Sequence, residues 1–423
     1  MNFVRKGPDA NPLAPLMQNS VMPSPASAKL VPSLTTKRIT SIDFLRGLVI
    51  VIMALDHVRD YFHADSMILD PTDLETTTPV FFFTRWITHF CAPVFMFLAG
   101  TSAFLVGQRK SRKQLSWFLF TRGLWLVLLE LTIVNFAWLF NLEFTTIFLI
   151  VIWALGVGMM ILSALIFLPL RVLLAVGLLI VAGHNLLDNF HVPGNGFWAI
   201  LWAVLHERRA FEFDGRVLGV GYPIIPWLGI MITGYCFGYF YRKQADPATR
   251  KKYLRWLGLG ICCLFILLRA INVYGDPSPW AEQPSTVFTI LSFLNLSKYP
   301  PSLLYTLMTL GPAILLLSVT EEIKGRIAKG FISIGRVPMF FYILHIYFIH
   351  LGAMLAISLS GHPWTDMLLT TWPWMEPQLK GYGFSLGVTY LVWLLLILLL
   401  YPLCVWYDRY KTLHKEKWWL SYL

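Results

Sequence analysis

Long apolar runs separated by short charged clusters set the pattern of this chain. Ten such runs recur, at about 42–62, 84–107, 115–139, 144–163, 167–187, 222–241, 254–273, 302–320, 331–358 and 383–407. A helix rises about 1.5 Å per residue, so roughly 20 apolar residues cross a hydrocarbon core about 30 Å thick. The pattern predicts an all-α integral membrane protein with about ten transmembrane helices in one bundle. The fourth and fifth runs are divided only by the corner Pro169-Leu170-Arg171. Residues 1–40 differ from the rest. They are rich in Pro, Ser and Ala, show no periodicity, and read as a disordered cytoplasmic tail ahead of a single transmembrane domain over 41–423. No early apolar region with a cleavage site is found, so no signal peptide is expected.

Composition agrees with the pattern. Hydrophobic residues make up 57% and charged residues 13%, where a soluble protein carries about 25% charged residues. The net charge of +11 does not point to nucleic acid, because the basic residues sit in short loops between apolar runs. Those loops give the orientation. The N-terminal tail, the Arg109–Lys113 cluster, Arg171, the 242–255 cluster, the 324–336 stretch and the C-terminal segment carry 24 Lys and Arg, against 5 in the opposite loops. The positive-inside rule then places both termini in the cytoplasm. The expected location is a bacterial inner membrane, crossed many times and bathed in lipid. The five cysteines lie in or beside apolar runs without a C-x-x-C pair, so neither disulfides nor a metal site is expected from them.

The first run, SIDFLRGLVIVIMALDHVRDYFH, carries the densest candidate chemistry. Arg46 and His57 are eleven positions apart, so at about 100° per residue they share a face, roughly 16 Å apart along the axis. A cation near one membrane surface and an imidazole near the other predict the wall of a polar path, since charges at membrane depth face a bundle interior or a wet cavity. His57 could serve as a general base, its ordinary pKa lying near working pH. Asp60, three residues on, could orient it. Asp56 points about 100° away. His89, at similar depth, could be a second acid or base, or a partner in an interhelical hydrogen bond. Glu130, inside the third run, needs a partner; His57, His89 and Arg269 are the candidates. Arg46, Arg122 and Arg336 lie towards the cytoplasmic ends of their runs and could gather phosphates, or snorkel to headgroups. Lys298 and Tyr299 are candidates for the opposite side. His345 and His350, five apart, do not share a face. No P-loop, H-E-x-x-H, G-x-S-x-G or dinucleotide fingerprint is present, and no metal is expected.

Asp43-Phe-Leu-Arg46-Gly47-Leu with His57 closing the run, followed by Pro93-Val-Phe-Met-Phe-Leu-Ala-Gly100, resembles the transmembrane acyltransferase superfamily. It is most similar to the bacterial branch that shares a catalytic domain with heparan-alpha-glucosaminide N-acetyltransferase. Arg122-Gly-Leu-Trp with Glu130, Lys298-Tyr-Pro-Pro-Ser302, Gly335-Arg336-Val-Pro-Met-Phe-Phe-Tyr and Trp418-Trp-Leu-Ser-Tyr fit the same branch. The resemblance implies that acyl-CoA, acetyl-CoA first among such donors, enters from the cytosol with its pantetheine arm in a pore. It implies transfer of the acyl group to a hydroxyl or amine of an extracytoplasmic glycan or glycolipid, and an oligomer is compatible with it. It puts Arg46 towards the phosphates and His57 towards the thioester. In the eukaryotic enzyme the active-site pair is an Asn and a His; by the resemblance Asp56 stands at the Asn position here, and the matching His is His57 or His63. Two rival readings are a proton-coupled transporter of a small solute, which predicts substrate-driven flux, and a haem-binding electron-transfer protein, which predicts a Soret band.

Overall fold

The most charged of the long runs becomes a largely enclosed helix. In the computed structural model, which describes residues 39–421, helix α1 (Thr40–Phe62) buries 17 of its 23 residues. The expected tail over 1–40 lies almost wholly outside the described residues, as does Tyr422 of the C-terminal motif. The other helices are α2 (Pro79–Trp86), α3 (Cys91–Gly107), α4 (Arg112–Leu129), α5 (Asn135–Leu139), α6 (Val151–Leu165), α7 (Leu170–Gly183) and α8 (Phe197–Leu205). They continue with α9 (Ile224–Phe237), α10 (Pro247–Ile271), α11 (Thr286–Leu294), α12 (Leu303–Val319), α13 (Arg326–Arg336), α14 (Pro338–Leu359) and α15 (Leu386–Leu413). Around α1 pack α3, α12, α13, α14 and α15. Burial on all sides explains how five charged residues can share one helix, provided that each finds a partner.

Among the described residues, seven helical stretches are long and apolar enough to cross a membrane: 79–107, 112–139, 170–187, 224–241, 247–271, 338–359 and 386–413. Two more, α6 and α12, are apolar but shorter. The protein is mostly helical and membrane-embedded by this measure, as the hydropathy pattern predicts.

Three features depart from that pattern. The fold is not all-α: β1 (Thr146–Leu149) pairs in parallel with β3 (Arg216–Val220), which pairs antiparallel with β2 (Arg209–Phe213). The expected fourth span therefore opens with a strand, and only from Val151 is it helical. A short apolar run such as Thr-Ile-Phe-Leu does not distinguish strand from helix by itself. The β2–β3 hairpin turns on Asp214-Gly215, both with positive φ, the dipeptide that a tight primed turn favours. The third departure is at 331–358, which is two helices. Val337 ends α13, and Pro338 opens α14 at a first-turn position where its missing N–H costs nothing.

The α1–α13 contact depends on two glycines. A Cβ on Gly47 would strike the Phe331 carbonyl, and one on Gly335 would strike the Asp43 carbonyl. Backbone cannot move aside as a flexible side chain can. Gly47→Ala should destabilise the bundle by about 1–3 kcal/mol; a lowered thermal midpoint in detergent and a loss of monodisperse yield would report it. Because Arg46 and Arg336 flank these glycines in sequence, the same contact fixes how closely the two guanidiniums approach.

Candidate functional site

A cavity of about 330 Å³ opens between α1, α3, α4, α6, α13, α14 and α15. Four cations line it: Arg46, Arg122, Arg336 and Lys411. Its remaining wall is largely apolar, with Ile50 and Met53 continuing the Arg46 face of α1 and Tyr342 contributed by α14. The series 46, 50, 53, 57 advances by four, three and four residues, which keeps one stripe of a helix in view. His57 is the next member of that stripe, and its ring centroid lies 6.5 Å from that of Tyr342.

The cations are held, not loose. Arg46 donates from Nη1 to Asp43 Oδ1 at 3.2 Å and to the Gly335 carbonyl at 3.1 Å, and from Nη2 to Ser102 Oγ at 2.9 Å. Arg336 pairs with Asp43 at 3.6 Å and with Asp408 at 3.3 Å. Arg122 lies over the Phe118 ring, 4.4 Å from its centroid. Rotamers fixed in this way lose less entropy when an anion arrives. All three arginines singled out in the sequence thus line one cavity, and Lys411, noted there only as a loop charge, joins them.

One helical step beyond Met53, His57 is half-buried and meets α14. Its Nδ1 lies 2.7 Å from His345 Nε2, and His345 Nδ1 lies 3.1 Å from the Phe341 carbonyl. The carbonyl can only accept, so His345 carries its proton on Nδ1 and presents Nε2 as an acceptor. His57 must then donate from Nδ1, which leaves the lone pair on His57 Nε2. Trp138 meets the imidazole edge-on, with centroids 4.7 Å apart. The orienting partner is therefore His345. Asp60, expected in that role, is instead bound to Arg59 at 2.6 Å. An (i, i+3) spacing brings the pair into range, but the neighbouring guanidinium is the stronger partner.

Asp56 is buried between two guanidiniums, 2.8 Å from Arg59 and 2.5 Å from Arg85. His63 closes α1; its Nδ1 accepts from the Ser66 N–H at 3.3 Å and its ring stacks on Phe81, 4.8 Å between centroids. It is not part of the cavity wall. His89 is buried, packs on Tyr305, and has no hydrogen bond to His57; the Tyr305 hydroxyl donates to its backbone carbonyl at 2.7 Å. Among the described residues its Nδ1 has no partner.

Glu130 also departs from expectation. It pairs with none of His57, His89 or Arg269. Its Oε2 accepts from the Trp153 N–H at 2.9 Å and so caps the N-terminus of α6 from a neighbouring helix. Glu130 still donates its N–H to the Leu126 carbonyl in the register of α4 and opens a π-helical turn, 130–134, that leads into α5. Arg269 instead donates to the carbonyls of Ser278, Ser292, Phe293 and Asn295 at 2.9–3.0 Å.

Lys298 and Tyr299 sit in a turn fastened by Asp276, whose Oδ2 accepts from Ser297 N at 2.9 Å and from Ser302 Oγ at 2.6 Å. Lys298 lies over the Tyr299 ring at 5.1 Å, and its charge acts on both Asp56 and His57. Burial pushes the Tyr299 phenol up, but the Lys298 and Arg85 charges outweigh it and bring it down to about 8. Phenolate should therefore accumulate as pH rises through that value. The tyrosinate difference spectrum between wild type and Tyr299→Phe should show a midpoint near pH 8, displaced upward in Lys298→Met.

These features define a polytopic membrane protein with a cation-lined cavity and, on the same face of α1, an imidazole held by a second histidine. The family model described as heparan-alpha-glucosaminide N-acetyltransferase, catalytic, matches residues 38–268, just over half of the 423 residues. The chain belongs to that family. The matched stretch includes α1 to α9 and most of α10; the Lys298 turn, Arg336 and His345 lie beyond it. No curated protein matches the chain.

Proposed function

We propose that the protein is an acyl-CoA-dependent transmembrane acyltransferase of a bacterial inner membrane. One domain from residue 41 onward carries the activity, with ten membrane-crossing helices and both termini in the cytoplasm. It passes an acyl group, acetyl first among the candidates, to a hydroxyl or amine on an extracytoplasmic glycan or glycolipid. The observation that carries this reading is the α1 stripe: Arg46, Ile50 and Met53 line a largely apolar cavity that Arg122 and Arg336 share, and His57, with its lone-pair nitrogen, follows one helical step beyond Met53. The cavity suits an anionic head with a slender arm, and the bound donor supplies an activated acyl thioester.

The chain's own residues do the rest. Arg46, Arg122, Arg336 and Lys411 hold the phosphates by charge-assisted hydrogen bonds. The apolar wall from Ile50 to Tyr342 keeps water from the thioester. His57 Nε2 takes the proton of the acceptor hydroxyl or amine as that group attacks the acyl carbon, and returns it to the departing thiolate. His345 accepts from His57 Nδ1 throughout, fixing the tautomer and stabilising the imidazolium. Lys298 and Tyr299, with Asp56, Arg59, Arg85 and His89, form the polar surround that the acceptor enters. His57 is preferred to His63 because His63 Nδ1 accepts from the Ser66 N–H and its ring stacks on Phe81.

The reading is tested by acyl-CoA binding and thiol release with the purified protein in detergent. Binding and slow release of free CoA are expected. No affinity for acyl-CoA would overturn it, and the cavity would then be a path for a solute. A finer test concerns His345. Because His345 acts through His57, His345→Ala should lower turnover about 10–100-fold with little change in donor affinity, as loss of an orienting hydrogen bond does. His345→Gln should recover part of that loss, since its amide oxygen can accept from His57 Nδ1. Equal loss in both variants would assign His345 a packing role alone.

A further inference from the structure

A second group of histidines lies outside this cavity. His184 follows the last turn of α7, Asp188 comes four residues later, and His206 ends α8. One ligating atom from each lies within 4.8 Å of the other two. His206 Nε2 is 3.0 Å from Asp188 Oδ1, and the two imidazoles meet edge-on with centroids 5.6 Å apart.

We propose that His184, Asp188 and His206 bind a divalent transition-metal ion of the zinc class on the side read as extracytoplasmic. Proximity alone would not carry this, but the hydrogen bonding adds to it. His184 and His206 are 3% and 2% exposed. The Nδ1 atom of each has no partner among the described residues, an expensive state for a buried polar atom. No Lys or Arg among the described residues forms an ion pair with Asp188, so its charge is opposed only by an imidazole. Its second oxygen is already fixed, accepting from Asn185 Nδ2 at 2.8 Å, as carboxylate ligands generally are in metal sites.

Two imidazoles and one carboxylate match the donor preference of zinc and its neighbours. Calcium and magnesium prefer an all-oxygen shell. Tetrahedral bonds of about 2.0–2.1 Å put ligand atoms about 3.3 Å apart, against the 4.8 Å within which the three groups lie without an ion. Three protein ligands leave a fourth position for water.

The ion would clamp the end of α7 to the end of α8 across the 188–205 connection. Asn185 extends the clamp, its Oδ1 accepting from Leu303 N at 2.9 Å, just after the turn that bears Lys298 and Tyr299. The metal would thus hold the floor beneath that turn. The inference does not depend on acyl transfer and runs against the sequence expectation of no metal. The sequence signal is weak: H-x-x-x-D with a distant His matches no familiar metal spacing.

The test uses the full, untagged chain in detergent, stripped with a chelator and titrated with Co²⁺ alone. Expected are a saturable visible d–d band of about one equivalent per chain, displacement by Zn²⁺, and a raised thermal midpoint. The band and the midpoint shift should both vanish in His184→Gln and in Asp188→Asn. Both should persist in His191→Gln, which alters an exposed histidine nearby. X-ray absorption of the Zn²⁺-loaded wild type should show mixed imidazole and carboxylate ligation, a readout that needs no variant to fold. Absence of the band in wild type, its persistence in both ligand variants, or a shell without imidazole would each overturn the site.

Discussion

Replacing His57 by Ala is expected to lower acyl transfer about 10²–10⁴-fold, the range a positioned general base contributes. Acyl-CoA affinity should stay nearly unchanged. The reason is positional. His57 stands at the far end of the Arg46–Met53 stripe, its Nδ1 committed to His345 at 2.7 Å, so only Nε2 is left for chemistry and little of the donor's binding surface is lost. The paired measurement is calorimetric affinity for acyl-CoA beside the single-turnover rate of thiol release. A His57→Ala protein that binds donor and releases thiol at the wild-type rate would remove His57 from the mechanism. His63→Ala provides the internal comparison. That side chain fastens the turn after α1 by accepting from Ser66 N, so its loss should act on stability and leave the rate per folded molecule largely intact.

Much of this arrangement can be read from the chain, and the readable part has a common physical basis. Helix periodicity is local. Apolar length located the bundle, and the eleven-residue interval between Arg46 and His57 placed both on one stripe that later proved to border the cavity and its inner neighbour. Charge at membrane depth must be partnered, so Arg46, Arg122 and Arg336 stood out before any contact was known. What local patterns cannot express is which partner each group finds. His345 lies 288 positions from His57, and no spacing rule links them. Glu130 meets a backbone N–H at the start of α6, 23 positions on, a partner that no helical spacing rule gives. Asp60 was assigned to His57 on spacing alone, whereas the adjacent Arg59 is a charged competitor. The strand at Thr146–Leu149 was hidden for a related reason: its partner is β3, some 70 residues on, and a buried strand and a buried helix start look alike as apolar letters. The break at Val337-Pro338 was written in the sequence, but continuous hydropathy across it masked a helix start that proline marks plainly.

Arg46→Ala should weaken acyl-CoA binding about 10–100-fold, as expected for loss of a charge-assisted hydrogen bond worth about 1.5–3 kcal/mol. Arg46 also pairs with Asp43, donates to the Gly335 carbonyl and reaches Ser102, so a structural cost of the substitution must be separated from a binding cost. Two comparisons do this. Arg46→Lys keeps the charge but loses the forked geometry, and should fall between wild type and Ala. A truncated acyl thioester that lacks the nucleotide and its phosphates should release thiol equally well with wild type and with Arg46→Ala, because nothing in that molecule reaches the cation cluster. The expected pattern is a large loss with full acyl-CoA and none with the truncated donor. Equal loss with both would mean that Arg46 holds α1 against α13 and leaves the phosphates to Arg122, Arg336 and Lys411. Salt offers an independent axis. Binding governed by guanidiniums and phosphates should weaken as ionic strength rises, and the salt dependence should be shallower in Arg46→Ala, since one of the interactions being screened has been removed.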